Sequence, residues 1–368
     1  MMSAPSVGVE EEFLLVDPHT GEPVARNSAV ASNAARRGVD LQLELTTCQV
    51  ETATEVAQTS AELRQQLTNQ RLAAAAAAQE AGATLLAVGL PPTVPHAFPI
   101  TDTPRYRQIA ERFGMIATEQ GICGCHVHVE VPDREAAVDV GNRLRPWLPL
   151  LLALTANSAI YRSSDSGHAS WRSVLWGRWP SSGPPPFFES AEHFDAVVAM
   201  MIDSGAMLDD GMVYWDVRPS TKFPTVEVRV ADVPATVAET VLLATLIRAA
   251  VMTALDERDR GVPAPRVSDH TLRAAYWKSA HDGLDGQAID VLDGWATAPT
   301  ARVLGQWLTM LAPALQEIGD EEWVRADVAR LLQDGNGAMR QRHAWRCRGE
   351  IADVIAEAAA ATVRGLDV

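Results

Sequence analysis

Lysine is nearly missing from this chain of 368 residues, in which Lys222 and Lys278 are the only two. Acidic residues outnumber basic ones by 47 to 31, which gives a formal net charge of −16. A chain with this charge repels nucleic acid and anionic membrane surfaces, so we expect neither as its main partner. Any anionic substrate therefore has to be held locally, by metal ions or by clustered arginines.

Cysteine is scarce as well, and the four cysteines lack the paired CxxC spacing. They are too few for a disulfide framework, which favours a reduced, cytoplasmic location. Residues 1–13 carry neither a basic segment nor an apolar one, so we expect no signal peptide. The most apolar stretch, Trp147–Ile160, is interrupted by Pro149 and is too short to span a bilayer. The cysteines are Cys48, Cys123, Cys125 and Cys347.

Three familiar motifs of nucleotide-binding proteins and hydrolases are also absent. Neither lysine lies in a GxxxxGK[ST] segment, and no GxGxxG segment opens a helix after a strand. No GxSxG segment occurs either. If ATP binds to this chain, it binds without a glycine-rich loop, and its phosphates have to contact metals and arginines.

The hydrophobic pattern contains strands and helices that do not alternate as regular βαβ units. This order predicts the α+β class with a largely antiparallel sheet. We predict a single catalytic domain over 1–368, with core motifs in 7–258 and a mostly helical part in 269–368. Strands are predicted at Val7–Val16, Val39–Leu45, Thr84–Gly89, His126–Val131, Met212–Arg218 and Thr225–Val230, and helices at Thr59–Glu80, Asp133–Asn157 and Ala235–Ala254.

The segment Tyr161–Ser190 is rich in Gly, Pro, Ser and Trp and has no clean hydrophobic period. Loops of this length in folded proteins are usually functional or disordered. Five aromatic residues from Trp171 to Phe188 argue against disorder. We therefore expect a functional loop here.

Three consecutive glutamates interrupt the first predicted strand. Alternation along a strand places Glu10 and Glu12 on one face, about 7 Å apart, and Glu11 on the other. This spacing suits two neighbouring cations. Adjacent carboxylates destabilise a strand unless positive charge compensates them. Taken alone, Glu10 and Glu12 are explained equally well as the solvated face of an edge strand.

Glu44 and Glu51 are seven positions apart in the chain. Seven is odd, so on one ideal strand their side chains face opposite sides. They converge only if the chain turns or bulges at Thr46–Gln49. Exposed polar positions are the simpler interpretation of each glutamate taken alone.

A pair of histidines lies on a later strand, with valines on the opposite face. His126 and His128 share one face of that strand. A His-x-His strand is typical of a metal or phosphate site, because imidazole binds borderline metals and accepts or donates hydrogen bonds. The alternative is a pair of buried, hydrogen-bonded histidines without a ligand.

Acid–arginine pairs at the same spacing occur on two further strands. Glu227 and Arg229 share one face, again with valines opposite. They form either a structural ion pair or a metal ligand beside a phosphate clamp. Asp216 and Arg218 repeat the spacing, and structural pairing is the more common interpretation of each pair in isolation.

In their order along the chain, these motifs resemble the carboxylate–amine ligase family, also labelled glutamate–cysteine ligase type 2, within the glutamine-synthetase-like superfamily. The match runs from about Val7 to Pro234. One position departs, since Glu130 stands where a small residue, commonly glycine, is expected. The matching segments are VGVEEEFLLVDP, LELTTCQVE, CGCHVHVEV, ANSAIYRSSDSGHASWRS with WGRWPSSGPPP, and WDVRPSTKFPTVEVRVADVP.

The resemblance implies a curved, mainly antiparallel sheet with metals on its concave face and helices packed outside. It also implies a reaction in which ATP phosphorylates a substrate carboxylate and an amine attacks the acyl phosphate, giving an amide, ADP and phosphate. The implied cofactors are two or three Mg²⁺ ions, with Mn²⁺ as the alternative. The expected partners are small carboxylate and amine substrates, glutamate and cysteine among them, and we expect a homodimer.

The resemblance further implies two sets of metal ligands. One metal would lie nearer the amine and the acyl phosphate, and the other would bridge the nucleotide phosphates. The first set is Glu12, Glu44 and Glu51, and the second is Glu10, His126 and Glu227.

Four other residues receive roles by the same resemblance. His128 would hydrogen-bond the phosphates of ATP, and Arg229 would stabilise the transferring phosphoryl group. Arg162 and Arg172 would bind the α-carboxylate of a glutamate-like substrate.

Two other functions stay open from the sequence. A metal-dependent amidohydrolase also uses a His-x-His strand, but it needs metal-binding histidines on later strands, and no histidine after His128 lies in a predicted strand. A non-catalytic binding protein with a degenerate site is the other alternative, and it is weakened because every expected glutamate is present. The later histidines are His168, His193, His270, His281 and His343.

Overall fold

The computed structural model describes residues 4–94, 98–119 and 121–366, and these contain strands β1–β11 and helices α1–α14. The strands are β1 (Val7–Val16), β2 (Leu41–Leu43), β3 (Gln49–Ala53), β4 (Thr84–Leu86), β5 (Gly124–Glu130), β6 (Ile160–Tyr161), β7 (Ser164–Asp165), β8 (Val217–Pro219), β9 (Thr225–Asp232), β10 (Gln287–Asp290) and β11 (Ala296–Pro299). The helices are α1 (Asn27–Ala35), α2 (Ser60–Glu80), α3 (Pro104–Phe113), α4 (Met115–Thr118), α5 (Arg134–Leu144), α6 (Leu148–Thr155), α7 (Trp171–Trp176), α8 (Ala191–Asp203), α9 (Val237–Asp259), α10 (Asp269–Asp282), α11 (Thr300–Glu317), α12 (Glu321–Asp334), α13 (Gly337–Arg348) and α14 (Ile351–Thr362).

A seven-stranded sheet forms the centre of the fold. Its order is β2-β3-β1-β5-β9-β8, and β4 pairs with the end of β1. Every described pairing in this sheet is antiparallel. The prediction of an α+β fold with an antiparallel sheet is therefore confirmed.

One face of the sheet is apolar and covered by helices. The odd-numbered residues Val7, Val9, Val127 and Val129 are almost fully buried in one core, which helices α2, α5 and α9 complete. Each fully buried valine or leucine of this kind stabilises the fold by about 1.5–3 kcal/mol. The opposite, even-numbered face carries the polar residues, because side chains alternate along a strand.

Helix α9 is the longest helix behind the sheet. By length and composition it is the one described helix that is apolar enough to cross a membrane. However, 83% of its most apolar window is buried inside the fold. A helix that is hydrophobic all round and covered by protein on all sides is a core helix.

The middle glutamate of the triplet forms a buried ion pair with helix α2. Glu11 and Arg71 are both fully buried, and Arg71 donates from Nε to Glu11 Oε2 at 3.0 Å and from Nη2 to Oε1 at 2.5 Å. Thr240 of α9 donates to the same carboxylate at 2.6 Å. Arg71 also donates to the carbonyl oxygens of Pro234 and Ala235. This network supplies positive charge to Glu11, the middle glutamate of the triplet, and it ties β1 to α2 and α9.

Several predicted boundaries shift, and prolines explain the largest change. The helix predicted over Asp133–Asn157 is interrupted by a 3₁₀ turn at Arg145–Trp147. Pro146 and Pro149 lie at the starts of this turn and of α6, where their missing N–H groups are tolerated. By contrast, α2 begins as its capping sequence predicts, since Thr59 accepts a hydrogen bond from the Glu62 N–H at 3.1 Å.

Other predicted strands are shorter, and strand β3 and the hairpins β6–β7 and β10–β11 were not predicted. The strand expected over Met212–Arg218 is reduced to β8, and the one over Thr84–Gly89 to β4. The small hairpin β10–β11 lies in the part that was predicted to be mostly helical. Its strands are four residues each, which is too short for a clear alternation in sequence.

The Gly-, Pro- and Trp-rich segment is attached to the end of β9. Asp232 is fully buried and accepts hydrogen bonds from Ser158 Oγ at 2.7 Å and Ser170 Oγ at 2.8 Å. The Asn157 N–H donates to it at 2.8 Å. These bonds hold the start of the segment against the sheet.

The domain boundaries stay a prediction. One apolar core joins Val7 of the first strand to Leu331 of α12, so the sheet and the C-terminal helices share buried contacts. The ends of the predicted domain at 1–3 and 367–368 lie outside the described residues.

We predict that Glu11→Gln and Arg71→Met each lower the free energy of unfolding by about 3–5 kcal/mol, because either change leaves the other group buried without its charge partner. Urea unfolding followed by circular dichroism measures this loss. The matched control is Arg36→Met, which removes an exposed pair with Glu80 at 2.6 Å and changes stability by less than about 1 kcal/mol. Equal urea midpoints for all three variants would contradict the prediction.

Candidate active site

A row of polar side chains crosses the open face of the sheet, built by the register of four adjacent strands. Glu12 of β1 lies opposite Glu51 of β3, and Glu10 lies opposite His126 of β5. His128 lies opposite Glu227 of β9. Directly opposite residues have Cβ atoms about 4.5–5.5 Å apart. The strand register therefore brings together residues that are distant in the chain.

Glu44 reaches this row because the chain reverses between β2 and β3. Thr46 Oγ1 donates to Gln49 Oε1 at 2.6 Å, and the Gln49 N–H donates to the Thr46 carbonyl at 3.2 Å. Thr101 Oγ1 donates to the carbonyl oxygen of Glu44 at 2.5 Å, which fixes the segment that leaves β2. The turn at Thr46–Gln49, which Glu44 and Glu51 need in order to converge, is therefore present.

The described residues contain three overlapping groups that could each hold a metal ion. Within each group the ligand atoms lie within 4.8 Å of one another. Glu10 and Glu51 each belong to two groups, so the groups form one continuous cluster. The groups are Glu12, Glu44 and Glu51; Glu10, Glu51 and His126; and Glu10, His128 and Glu227.

This geometry differs from the expected second set of ligands in one position. His128, not His126, shares a group with Glu10 and Glu227. The reason is Arg229, whose Nη1 lies 3.2 Å from His126 Nδ1 and also donates to Glu227. A guanidinium therefore stands between His126 and Glu227. The metal-binding roles of these residues stay a prediction.

Burial and repulsion raise the pKa of two carboxylates in the cluster. Burial raises the pKa of Glu12, and the charge of Glu44 adds to the rise although His126 opposes it. Burial followed by the charge of Glu44 raises the pKa of Glu51 well above its ordinary range. Such carboxylates are stabilised by a bound cation. Oxygen-rich donor sets of this kind fit Mg²⁺ and Mn²⁺.

The two histidines affect Glu10 in the opposite direction. Burial acts to raise the pKa of Glu10, but the hydrogen bond with His126 and the nearby ring of His128 lower it below its ordinary value. Burial followed by the charge of Arg229 lowers the pKa of His126, which favours the neutral imidazole that metals bind.

His128 lies in the group of the cluster that contains Glu10 and Glu227, and one of its ring nitrogens has no hydrogen-bond partner among the described residues. Its Nδ1 contacts Thr225 Oγ1 at 3.1 Å, which orients the ring. Its Nε2 is buried, has no hydrogen-bond partner among the described residues, and lies 3.5 Å from Glu10 Oε1. A buried nitrogen beside carboxylates, with its other ring nitrogen bonded, is typical of a metal-ligating histidine. The residues present therefore fit a bound divalent cation.

Two guanidinium groups hold Glu227. Arg218 donates from Nε at 2.8 Å and from Nη2 at 3.2 Å, and Arg229 donates from Nη1. Burial acts to raise the pKa of Glu227, but the charges of Arg229 and Arg218 lower it below its ordinary value. The ion pair between Glu227 and Arg229 is therefore present. The role of Glu227 as a metal ligand stays a prediction, and Glu227 belongs to one of the groups that could hold a metal ion.

Arg172 lies at the base of the site. It is buried, donates to the Val230 carbonyl at 3.3 Å, and lies 3.8 Å from Asp232. A Cβ atom at position 124 would lie 2.4 Å from Arg172 Nη2, so Gly124 provides the space that this guanidinium occupies. Arg172 therefore reaches the site, as expected, from helix α7.

The structure does not bring Arg162 to the site, in contrast to the expectation. It lies exposed at the tip of the β6–β7 hairpin with a positive φ of 51°, and its guanidinium covers the ring of Tyr161. The next residue, Ser163, donates its N–H to the Pro92 carbonyl, which holds this hairpin against the segment after β4. Arg162 is not among the described residues that line the cavities next to the row.

Two cavities border the polar row. A smaller, inner cavity of about 210 Å³ is lined by the acidic row, by aromatic residues and by Arg172. An outer groove of about 970 Å³ extends past His128 to Phe223. The two share a wall that contains Glu44, Glu51 and Arg105. The acidic cluster therefore borders both the inner cavity and the outer groove.

Sequence reasoning missed part of the cavity wall. Arg105 and Tyr106 line both cavities, but in sequence they look like the ordinary first turn of a helix after Thr103. Trp176 and Trp179 line the inner cavity. The only sequence signal for them was the expectation of a functional loop, which did not name individual residues.

Two other residues have partners or positions that the sequence did not indicate. Tyr214 packs against Trp176 at 4.8 Å between ring centroids and lines the inner cavity, although it precedes the short strand β8. Arg218 pairs with Glu227 rather than with Asp216, because the antiparallel register places Arg218 opposite Glu227.

The antiparallel sheet and the helices that cover it form a fold that also occurs in solved structures of ligases. The fold is similar to that of a bifunctional glutathione synthetase from Pasteurella multocida, with a TM-score of 0.68 and 14% identity over 98% of this chain and 53% of that one. It is also similar to the glutamate–cysteine ligase of Francisella tularensis, solved in complex with AMP, with a TM-score of 0.65 and 13% identity over 98% of this chain and 88% of that one. At these identities the likeness concerns the fold alone.

The chain belongs to glutamate–cysteine ligase family 2, whose family model matches residues 6–357. It is 66% identical to a Mycolicibacterium smegmatis protein named "Putative glutamate–cysteine ligase 2-3", over 99% of this chain and all of that one. It is 60% identical to a Nocardia farcinica protein of similar name, over 99% of this chain and 95% of that one. The resemblance predicted from the motifs is therefore confirmed, and the chain is a ligase of the class that forms carbon–nitrogen bonds.

We predict that Glu51→Gln weakens the binding of Mn²⁺ by at least about tenfold, because Glu51 belongs to two of the three metal-binding groups. Calorimetric titration of Mn²⁺ in the absence of nucleotide measures the affinity and the number of ions bound. Glu130→Gln is the matched control, since Glu130 is an exposed glutamate at the end of β5 that only accepts hydrogen bonds from Ser6. An unchanged affinity in Glu51→Gln would exclude this residue as a ligand.

Proposed function

We propose that the protein is an ATP-dependent carboxylate–amine ligase that joins a glutamate-like acid to an amine through an acyl phosphate. The observation that carries the proposal is the cluster of three potential metal-binding groups on the wall shared by the inner cavity and the outer groove. Phosphoryl transfer needs neutralised phosphate oxygens and reactants aligned in a row. A metal-binding wall between a large and a small cavity meets both needs.

ATP occupies the outer groove in this proposal, with its phosphates directed at the cluster. Bound Mg²⁺ or Mn²⁺ would neutralise the phosphate oxygens and orient them. In this proposal the ions bind on the concave side of the sheet. Glu10, His128 and Glu227, which line the groove, would hold one ion, and Glu12, Glu44 and Glu51, which line the inner cavity, would hold another. His126 completes a group with Glu10 and Glu51, which supports two or three ions.

Arg229 acts on the transferring phosphoryl group. Its guanidinium is held by Glu227 and lines the inner cavity, next to the shared wall. A fixed cation at this position stabilises charge that develops only in the transition state, and it needs no reorganisation to do so. Glu227 therefore has two tasks, binding a cation and orienting Arg229.

The inner cavity binds the acid substrate and keeps water away from the acyl phosphate. Trp176, Trp179 and Tyr214 form its apolar wall, with ring centroids 4.8–6.2 Å apart. Arg172 contributes positive charge at its base. Excluding water lets the amine, rather than water, attack the activated carboxyl group.

Family membership supports one substrate pair. Relatives carry the name glutamate–cysteine ligase, which supports glutamate as the acid and cysteine as one candidate amine. We also propose a cytoplasmic homodimer that binds neither nucleic acid nor membranes, in keeping with the net charge of −16. The amidohydrolase alternative lacks support, since the histidines after His128 all lie outside the described strands.

We predict that phosphate release from ATP requires a divalent cation, an acid and an amine together. Without cations, a chain of net charge −16 with clustered carboxylates repels the nucleotide. A phosphate-release assay across amino acids, with and without cysteine and with Mg²⁺ or EDTA, tests this requirement. Equal ATP affinity in Mg²⁺ and in EDTA would overturn the metal-dependent mechanism, and release without an acid would indicate a plain ATPase.

We predict that Arg229→Lys lowers turnover about a hundredfold, which is about 2.7 kcal/mol in the barrier, while ATP affinity changes much less. Lysine keeps the charge but loses the planar fork that follows the transferring phosphoryl group. Steady-state kinetics and thermal melts are measured together. A large fall in melting temperature with normal turnover per folded molecule would instead show that Arg229 is only a structural partner of Glu227.

A further inference from the structure

Arg105 lies in the wall that the two cavities share and uses only two of its five N–H donors in described hydrogen bonds. Four arginines of the described residues line the cavities. The side chains of Arg172, Arg218 and Arg229 are 3%, 14% and 11% exposed, and each binds a carboxylate or main-chain carbonyls. The side chain of Arg105 is 42% exposed, so a diffusing ligand can reach it without breaking a buried contact.

Asp209 holds Arg105 by one edge of its guanidinium. Arg105 donates from Nε to Asp209 Oδ2 at 2.8 Å and from Nη2 to Oδ1 at 2.9 Å. A guanidinium has five N–H donors, arranged so that two edges can each bind a carboxylate with two hydrogen bonds. The second edge, formed by Nη1 and Nη2, has no described partner. Arg105 can therefore bind Asp209 and a second carboxylate at the same time.

The surrounding segments fix the position of this arginine. Arg105 is in the first turn of α3, where Thr103 caps the helix by accepting from the Tyr106 N–H at 3.2 Å. Tyr106 Oη donates to the Leu43 carbonyl at 3.1 Å, which ties α3 to β2 beside Glu44. This arrangement holds Arg105 at the wall that both cavities share.

A glycine allows the Asp209 segment to approach the guanidinium closely. A Cβ atom at position 211 would lie 2.9 Å from Arg105 Nη2 and 3.1 Å from Asp209 Oδ1. Any other residue than Gly211 would therefore crowd the pair. The close approach of the main chain at Gly211 therefore helps to fix the orientation of the Arg105 guanidinium.

We propose that Arg105, oriented by Asp209, binds the second carboxylate of a dicarboxylic amino acid whose other carboxylate is phosphorylated at the acidic cluster. The inference rests on the proposed function and adds a specificity-determining residue to it. The remaining guanidinium edge matches a carboxylate in shape and charge. A substrate that lacks this second carboxylate leaves the edge unpaired and binds less tightly.

The test compares glutamate with 4-aminobutyrate, which is glutamate without its α-carboxylate, in wild type and in Arg105→Ala. Charge-assisted hydrogen bonds of this kind change affinity by roughly tenfold or more. In wild type, 4-aminobutyrate should bind roughly tenfold or more weakly than glutamate. Arg105→Ala should weaken the binding of glutamate by a similar factor and leave the binding of 4-aminobutyrate and the KM for ATP nearly unchanged. Calorimetric titration and the KM from phosphate release both measure these affinities.

Asp209→Asn should give a smaller rise in the KM for glutamate, because Asp209 only orients Arg105.

Arg107→Ala is the matched control, because Arg107 is on the same helix, is 61% exposed, pairs only with Asp102, and lines neither cavity. It removes the same charge and should leave glutamate binding unchanged. Equal weakening of glutamate and 4-aminobutyrate in Arg105→Ala, or no weakening, would overturn the inference, as would a wild type that does not bind glutamate. If glutamate binds through Arg105 but no amine supports phosphate release, the proposed function fails while the carboxylate-binding role of Arg105 stands.

Discussion

Mutual repulsion among carboxylates on one face of the sheet is the constraint on which the site depends. Burial and neighbouring negative charge both favour the protonated form of a carboxyl group. Within the protein, cationic groups compensate only part of the cluster: arginines pair with Glu227, and histidines lower the pKa of Glu10. The pKa values of Glu12 and Glu51 stay raised. Bound cations would supply the missing positive charge, and they would couple the stability of the site to its ligands.

The rest of the fold holds these groups together against that repulsion. Antiparallel register places the carboxylates and imidazoles of β1, β3 and β5 side by side, and main-chain hydrogen bonds maintain that register. On the other face of β1, Arg71 neutralises Glu11 and Thr240 donates a hydrogen bond to it. Glu11 therefore stabilises the core, whereas Glu10 and Glu12 lie in the acidic cluster. The helices behind the sheet therefore support the site even though they contribute no ligand to the acidic cluster.

The sequence predicted the composition of the acidic cluster better than its internal geometry. Alternation assigned Glu10 and Glu12 to one face and Glu11 to the other, because the two-residue period of a strand follows from covalent geometry. It also showed that Glu44 and Glu51 converge only through a turn, and that turn is present. The exchange of His126 for His128 in one metal-binding group was not predictable, since it depends on where the Arg229 guanidinium lies.

By itself, the sequence determined the antiparallel α+β class, the face of each polar residue on its strand, and the family, since all of these follow from local periodicity and ordered motifs. Only the tertiary structure decided which arginines reach the cavities. Arg162 was expected there and lies on an exposed hairpin, whereas Arg105 was not expected and stands between the two cavities. The physical reason is that an arginine's position depends on packing between segments far apart in the chain, such as α3 and the turn at Asp209, and no local pattern records that packing.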